Sequence, residues 1–95
     1  MAKLKTTPFD PAELLTTPRA MAVFMSEALA TDDPSYIAHA LGVVARAKGM
    51  SEIARETGLG RESLYKALRE GSHPEFATVL KVIRALGLHL VAKPA

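Results

Sequence analysis

The chain has 95 residues, enough for one small domain, and 48% of them are apolar, which excludes an intrinsically disordered chain. Alanine and leucine supply 28 positions, aromatic residues 5% and cysteine none, which favours packed helices over a β-sandwich and excludes disulfides and thiolate metal sites. The net charge of +2 is unevenly distributed along the chain. The charges of residues 1–42 sum to −2, whereas those of residues 43–95, with nine Lys or Arg and five Glu, sum to +4. A nucleic-acid-binding surface is therefore expected in the second half.

The first half of the chain predicts an arm followed by two helices. Residues 1–17 lack periodic apolar positions and are rich in Thr and Pro, which indicates an extended N-terminal arm. Thr17 before Pro18, and Asp33 before Pro34, each predict a helix start with a capping side chain and a proline in the first turn. Apolar residues at helical spacing follow each start, at Met21, Phe24, Met25, Ala28 and Leu29, and then at Ile37, Ala40, Leu41, Val44 and Ala45.

Two short helices are predicted next. Gly49 ends the second helix, and Ser51 is expected to cap a third one that runs to Thr57 and is closed by Gly58. A fourth helix is expected over residues 61–69.

The last part of the chain predicts a fifth helix and a strand. The fifth helix is expected to begin after Pro74 and to end at Gly87. Its predicted buried face consists of Phe76, Val79, Leu80 and Ile83. Residues 88–93 alternate in polarity and predict a short C-terminal β-strand. One face of that strand carries Leu88, Leu90 and Ala92, which we expect to pair with a second copy of the chain, unless the tail packs back on its own domain.

The third and fourth helices have the spacing of a helix-turn-helix unit over about residues 50–70, inside a domain that spans 18–95. Ala54 is small where the second helix of such a unit crosses the first, and Gly58 comes four residues later, where the chain must turn with a positive φ. Leu59 is expected to fill the turn. The remaining apolar anchors of the unit are Ile53, Leu64 and Leu68.

The exposed residues of the fourth helix are predicted to read DNA, because the second helix of this unit enters the major groove. Arg61, Glu62 and Lys66 are expected nearest the base edges, since Arg pairs with guanine and Glu accepts from cytosine. Tyr65 is expected to contact a thymine methyl group or a phosphate. These residue types also form ordinary solvated helix faces, so the prediction depends on the buried pattern and not on any one of them.

Phosphate contacts are expected at the ends of the two helices, from Ser51, Ser63 and Arg69.

No Ser/His/Asp set and no glycine-rich phosphate loop is present, so we expect neither an enzyme nor a cofactor. His39, His73 and His89 lack metal-ligand spacing; His39 is expected to be partly buried or at an interface, and the other two exposed. No apolar run approaches ~18 residues, and the N-terminus lacks the apolar region of a secretory signal, so no membrane partner is expected.

The sequence resembles a family of small Xre-type, HigA-like antitoxins, the probable addiction-module antidotes. The most specific stretch is TGLGRESLYKAL at residues 57–68, and similar runs occur at residues 9–15, 32–34, 40–42, 45–51 and 86–88. A Gly-Asn-Pro is common after the recognition helix of this family. Ser72-His73-Pro74 stands there in this chain, so an Asn contact from that loop is not carried over.

The resemblance implies a cytoplasmic, all-α, lambda-repressor-like domain that binds its own operator as a homodimer. It also implies a type II toxin–antitoxin partner, a toxin of the RelE/ParE type encoded beside it. From the acidic N-terminal half we expect an electrostatic contact with a basic toxin. Two alternatives stay open: a free-standing helix-turn-helix repressor without a toxin, and a toxin-binding module that does not bind DNA.

Overall fold

The computed structural model describes residues 15–69 and 71–95 of the chain. Within them it contains five α-helices and no strand, so the predicted all-helical core is confirmed there. The helices are α1 (Pro18–Leu29), α2 (Pro34–Lys48), α3 (Met50–Thr57), α4 (Arg61–Ala67) and α5 (Phe76–Ala85). Over the described residues, none of these helices combines the length and the apolar run that crossing a membrane requires.

Helices α1 and α2 begin where the sequence predicts. The Thr17 hydroxyl accepts a hydrogen bond from the Ala20 amide at 3.1 Å, and Asp33 accepts from the amides of Ser35 at 3.1 Å and Tyr36 at 3.4 Å. Each side chain satisfies amides that the first helical turn leaves without a carbonyl partner. The predicted apolar faces are also confirmed, since every residue in them is buried or half-buried.

The core forms where α2 packs against α1, α3 and α5, and where α3 packs against α4 and α5. Its largest fully buried side chains are Leu41, Val44, Ile53, Leu64, Val82 and Leu86. Leu15, in the segment predicted as an N-terminal arm, is also buried in this core. Its burial ties the end of that segment to the domain, while residues 1–14 of the predicted arm lie outside the described part.

Helix α3 begins one residue before the predicted cap. Gly49 ends α2 and directly precedes α3, with φ 120°, and its carbonyl accepts from the Ile53 amide at 3.0 Å. Because glycine readily adopts a positive φ, one residue suffices to turn the chain between the two helices. Met50 is therefore buried in the first turn, whereas Ser51 is exposed and makes no capping hydrogen bond, so the prediction of Ser51 as the N-cap is wrong.

Helix α4 ends at Ala67, two residues before the predicted Arg69. In a longer helix the Gly71 amide would donate to the Ala67 carbonyl. Instead the Ser72 hydroxyl donates to that carbonyl, and the Gly71 amide donates to the Ser35 hydroxyl oxygen on α2 at 2.8 Å. The helix ends early because these contacts satisfy both groups.

The predicted C-terminal strand over residues 88–93 is not observed, and residues 88–95 have no regular secondary structure. A strand needs a neighbouring strand for its backbone hydrogen bonds, and the described residues supply none. The Leu88 amide instead donates to the Ile83 carbonyl at 3.1 Å, and the Leu88 side chain packs against the core. Leu90 and Ala92 are exposed.

The buried face of α5 is turned relative to the predicted one. Phe76 is 67% exposed and Leu80 36%, although both were expected in the core. Ile83 is buried as predicted, together with Val82 and Leu86. The reason is that α5 packs against α2 and α3, and its orientation on them directs Val82 inward.

Candidate nucleic-acid interface

Helices α3 and α4 are joined by a turn of three residues, 58–60. Gly58 has φ 77° and ψ 7°, the left-handed conformation that the spacing predicts for it. The Thr57 hydroxyl donates to the Ile53 carbonyl at 2.7 Å and accepts from the Leu59 amide at 3.3 Å. Thr57 thus fixes both sides of the turn, a role that the sequence analysis did not assign to it.

The residues predicted to hold the two helices together face inward. Ile53 and Leu64 are fully buried and Leu68 is 3% exposed. Ala54 and Leu59 are half-buried and pack against the same core. With Leu64 and Leu68 directed inward, the opposite side of α4 is left to solvent.

The side chains that α4 leaves to solvent include all of the residues predicted to contact bases. Every one of the α4 residues in the predicted set is exposed: Arg61, Glu62, Ser63, Tyr65 and Lys66. The guanidinium carbon of Arg61 lies 5.9 Å from the centre of the Tyr65 ring, a cation–π distance.

The other residues predicted to contact phosphates are also exposed. Arg69 is exposed just beyond the end of α4, and Ser51 is exposed in the first turn of α3. The structure therefore leaves the whole predicted DNA-binding set accessible, with basic side chains at both ends of α4.

A concavity borders each flank of α4. On one flank, a volume of about 380 Å³ is lined by Ser63 and Lys66 and by the loop that contains His73 and Pro74. On the other flank, a smaller volume of about 80 Å³ is lined by Tyr65 and Arg69. That smaller concavity has a second cation in its lining, Arg46 of α2, which the sequence analysis did not select.

The loop after α4 is held by α2. The bond from the Gly71 amide to Ser35 spans 36 positions of sequence, so no local pattern could have indicated it. The Ser72 amide also donates to the Arg69 carbonyl at 3.1 Å. This loop is one wall of the larger concavity, which means that the first turn of α2 helps to fix the surface beside α4.

The histidines are placed as expected. His39 is half-buried, with its ring centre 6.2 Å from that of Tyr36, and His73 and His89 are exposed. In the part of the chain that the structure describes, no three His, Asp or Glu side chains come together as a metal site.

Comparison with known proteins identifies the family. A family model described as "probable addiction module antidote protein" matches residues 5–94. The chain belongs to this family. An uncharacterised protein of Haemophilus influenzae (strain ATCC 51907 / DSM 11121 / KW20 / Rd) is 49% identical over 80 residues, which cover 84% of this chain and 82% of that protein. No solved structure matches the chain significantly.

Membership of an antidote family supports an antitoxin role in an addiction module and implies a toxin as partner. The coarser part of the predicted function is thereby confirmed.

Proposed function

We propose that the chain is the DNA-binding antitoxin of a type II toxin–antitoxin module, of the HigA-like, Xre-type class. In this proposal α3 and α4 form a helix-turn-helix within a lambda-repressor-like domain. The cytoplasmic homodimer binds the operator of its own gene, represses transcription, and neutralises a toxin of the RelE/ParE type.

The observation that carries the DNA-binding part is the contrast between buried and exposed side chains of α4. Leu64 is fully buried, while Arg61, Tyr65 and Lys66 are exposed. A helix of seven residues is about 10 Å long, and the major groove admits an α-helix. Exposed Arg and Lys side chains on such a helix can reach base edges when the helix enters the groove.

The test is binding of the purified protein to the DNA upstream of its own gene, followed by fluorescence anisotropy. Arg61→Ala or Lys66→Ala should cost about 1–3 kcal/mol and relax the preference for one base pair, because each removes a base contact. Arg69→Ala should lower the salt slope by about one. Lys81→Ala, at an exposed position on α5, is the control with the same change of charge. Wild-type affinity in the Arg61, Lys66 and Arg69 variants alike would refute DNA reading by α4.

A homodimer is proposed because helix-turn-helix proteins of this kind bind as dimers to two half-sites about 34–36 Å apart, so that one α4 would contact each half-site. Of the residues expected at the dimer contact, Leu90 and Ala92 are exposed, whereas Leu88 is half-buried against its own core. Sedimentation should detect a dimer that Leu90→Asp weakens. A wild-type monomer at micromolar concentration, with and without DNA, would refute dimerisation.

The toxin is expected to meet the acidic half of the chain. Glu27 and Asp32 are exposed there, and the acidic residues Asp10 and Glu13 lie outside the described part. Copurification with the product of the neighbouring gene tests the partnership, and Glu27→Lys should weaken it if the toxin surface is basic. Unchanged affinity after charge reversal at Glu27, Asp10 and Glu13 would refute the electrostatic contact.

A toxin-binding module that does not bind DNA is the second candidate, and an apolar surface favours it. Phe76 and Ile37 border a groove of about 300 Å³ that is lined almost entirely by apolar side chains. Contiguous apolar surface of this kind suits a protein partner better than DNA. Toxin binding without any affinity for upstream DNA would select this candidate, and DNA binding without a copurifying toxin would select a free-standing repressor.

A further inference from the structure

We propose that the small concavity between α2 and the end of α4 is a seat for one phosphate of the DNA backbone, held jointly by Arg46 and Arg69. This inference rests on the proposed function and adds a site that α3 and α4 do not provide alone. The occupant is the phosphodiester group of double-stranded DNA.

Two cations that are distant in sequence line this concavity. Arg46 lies in the last turn of α2 and is exposed, and Arg69 follows α4 and is exposed. The other lining residues are Gly42, Met50, Tyr65 and Leu68, so no acidic residue is among the six. Two arginines in a lining whose described residues include no Asp or Glu favour an anion, and the planar, multi-donor guanidinium matches phosphate oxygens.

The size of the concavity limits what it can hold. Its volume of about 80 Å³ is several times the ~10–15 Å³ that a single water molecule requires. That space suits a single small anionic group better than a flat base. The Tyr65 phenol on its edge can donate a further hydrogen bond to such a group.

The concavity also lies in line with the face of α4 that is proposed to read bases. Arg61, Tyr65 and Arg69 are spaced four residues apart, so the first two share a helix face and the third continues it just beyond the helix end. Arg61 lies over the Tyr65 ring, and Tyr65 borders the concavity with Arg46. When α4 enters a major groove, the strand that borders this side of the groove would present a phosphate to Arg46 and Arg69.

The test measures affinity against KCl concentration by anisotropy, with the upstream DNA and with an unrelated duplex of equal length. Arg46→Gln should lower the slope of log affinity against log salt by about 0.9 on both duplexes, because one phosphate contact is lost. The advantage of the wild type over this variant should therefore shrink about three- to fourfold between 50 and 200 mM KCl. Arg46→Lys should keep the slope.

Matched controls distinguish a local phosphate seat from the effect of the protein's overall positive charge on DNA affinity. Arg19→Gln removes the same charge from an exposed position on α1 and should leave the slope unchanged. In the double variant Arg46→Gln/Arg69→Gln, the slope should fall by about as much as in one single variant, because the phosphate is held only when both side chains are present and either substitution already loses it. Inorganic phosphate, titrated against the free protein by NMR, should bind only weakly at Arg46 and Arg69.

Several results would overturn the proposal. If Arg46→Gln binds the operator with the same salt slope as the wild type, the phosphate seat is refuted. The proposed function is not affected by that result. If Arg19→Gln lowers the salt slope as much as Arg46→Gln does, the site is not local. If the slope losses of the two single variants add up in the double variant, the arginines do not share a phosphate. Tight binding of inorganic phosphate with an unchanged slope would make it a small-anion site. A wild-type protein that binds no duplex refutes the seat together with the proposed function.

Discussion

Gly42 is the position where a single methyl group should disturb the fold most directly. A Cβ atom placed on Gly42 of α2 would lie 2.5 Å from the backbone oxygen of Leu68, and 3.5 Å from both its carbonyl carbon and its Cβ. Real Cβ atoms essentially never approach another heavy atom within 3.0 Å, so one of the two segments must move by at least 0.5 Å. The opposing atom belongs to the backbone, which cannot rotate away as a side chain can.

The expected cost follows from two opposing terms. Forcing extra volume into a packed core costs about 1–3 kcal/mol, toward the upper end where backbone must shift. Replacing glycine by alanine inside a helix returns about 1 kcal/mol. Gly42→Ala should therefore lower the free energy of unfolding by about 1–2 kcal/mol and the Tm by roughly 5–15 °C.

Urea denaturation and thermal melting followed by circular dichroism measure this effect. Gly60→Ala is the matched control: its Cβ would meet nothing within 4 Å, and its φ of −72° suits any residue. We expect that control to stay within about 0.5 kcal/mol of the wild type, because its loss of N-cap preference and its gain in chain stiffness oppose each other. A Gly42→Ala protein that is more stable than the wild type would refute the reasoning.

Three further substitutions test local features of the fold. Asp33→Ala should lower the free energy of unfolding by about 1 kcal/mol in urea, because it removes the cap of the Ser35 and Tyr36 amides; no change would contradict the cap. Ser35→Ala should speed hydrogen exchange of the Gly71 amide at a global cost of about 1 kcal/mol or less, and unchanged exchange would contradict that bond. Gly58→Ala should cost about 1–2 kcal/mol by thermal melting although its Cβ has open space, since φ is 77°, and a neutral result would contradict the strain.

The sequence predicts well what short-range signals determine. Asp33 caps the amides two and three residues later, so residues that are close in the chain decide where α2 begins. The left-handed turn at Gly58 is likewise local, because four residues after Ala54 the chain has to leave the helix where only glycine does so without strain. These elements form in the structure as the pattern predicts.

Long-range contacts account for the predictions that failed. The end of α4 depends in part on a hydroxyl from the start of α2, which lies outside any sequence window around Arg69. The orientation of α5 is a similar case: Phe76 and Leu80 fit the same helical period as Val79 and Ile83, and only packing against α2 and α3 turns Val82 inward instead. The predicted tail strand had suitable alternation but no neighbour in the described chain to accept its hydrogen bonds.

The residues of the candidate site likewise fall into those predicted from local patterns and one that depends on a long-range contact. The exposed residues of α4 were predicted from the positions of the buried ones, because a helix anchored through Leu64 must present its other side to solvent. Arg46 was missed because it belongs to a different helix, and its proximity to the α4 face exists only after α2 and α4 have packed.

The close approach at Gly42 is what brings Arg46 and Arg69 to one concavity. Gly42 and Arg46 lie four residues apart on one face of α2, and Leu68, whose carbonyl contacts Gly42, directly precedes Arg69. A methyl group at Gly42 would push the end of α4 away from α2 and so separate the two guanidinium groups. In a Gly42→Ala background that still folds, the salt-slope losses of Arg46→Gln and Arg69→Gln should therefore become additive. If they remained non-additive, the two arginines would not depend on this contact for their shared position.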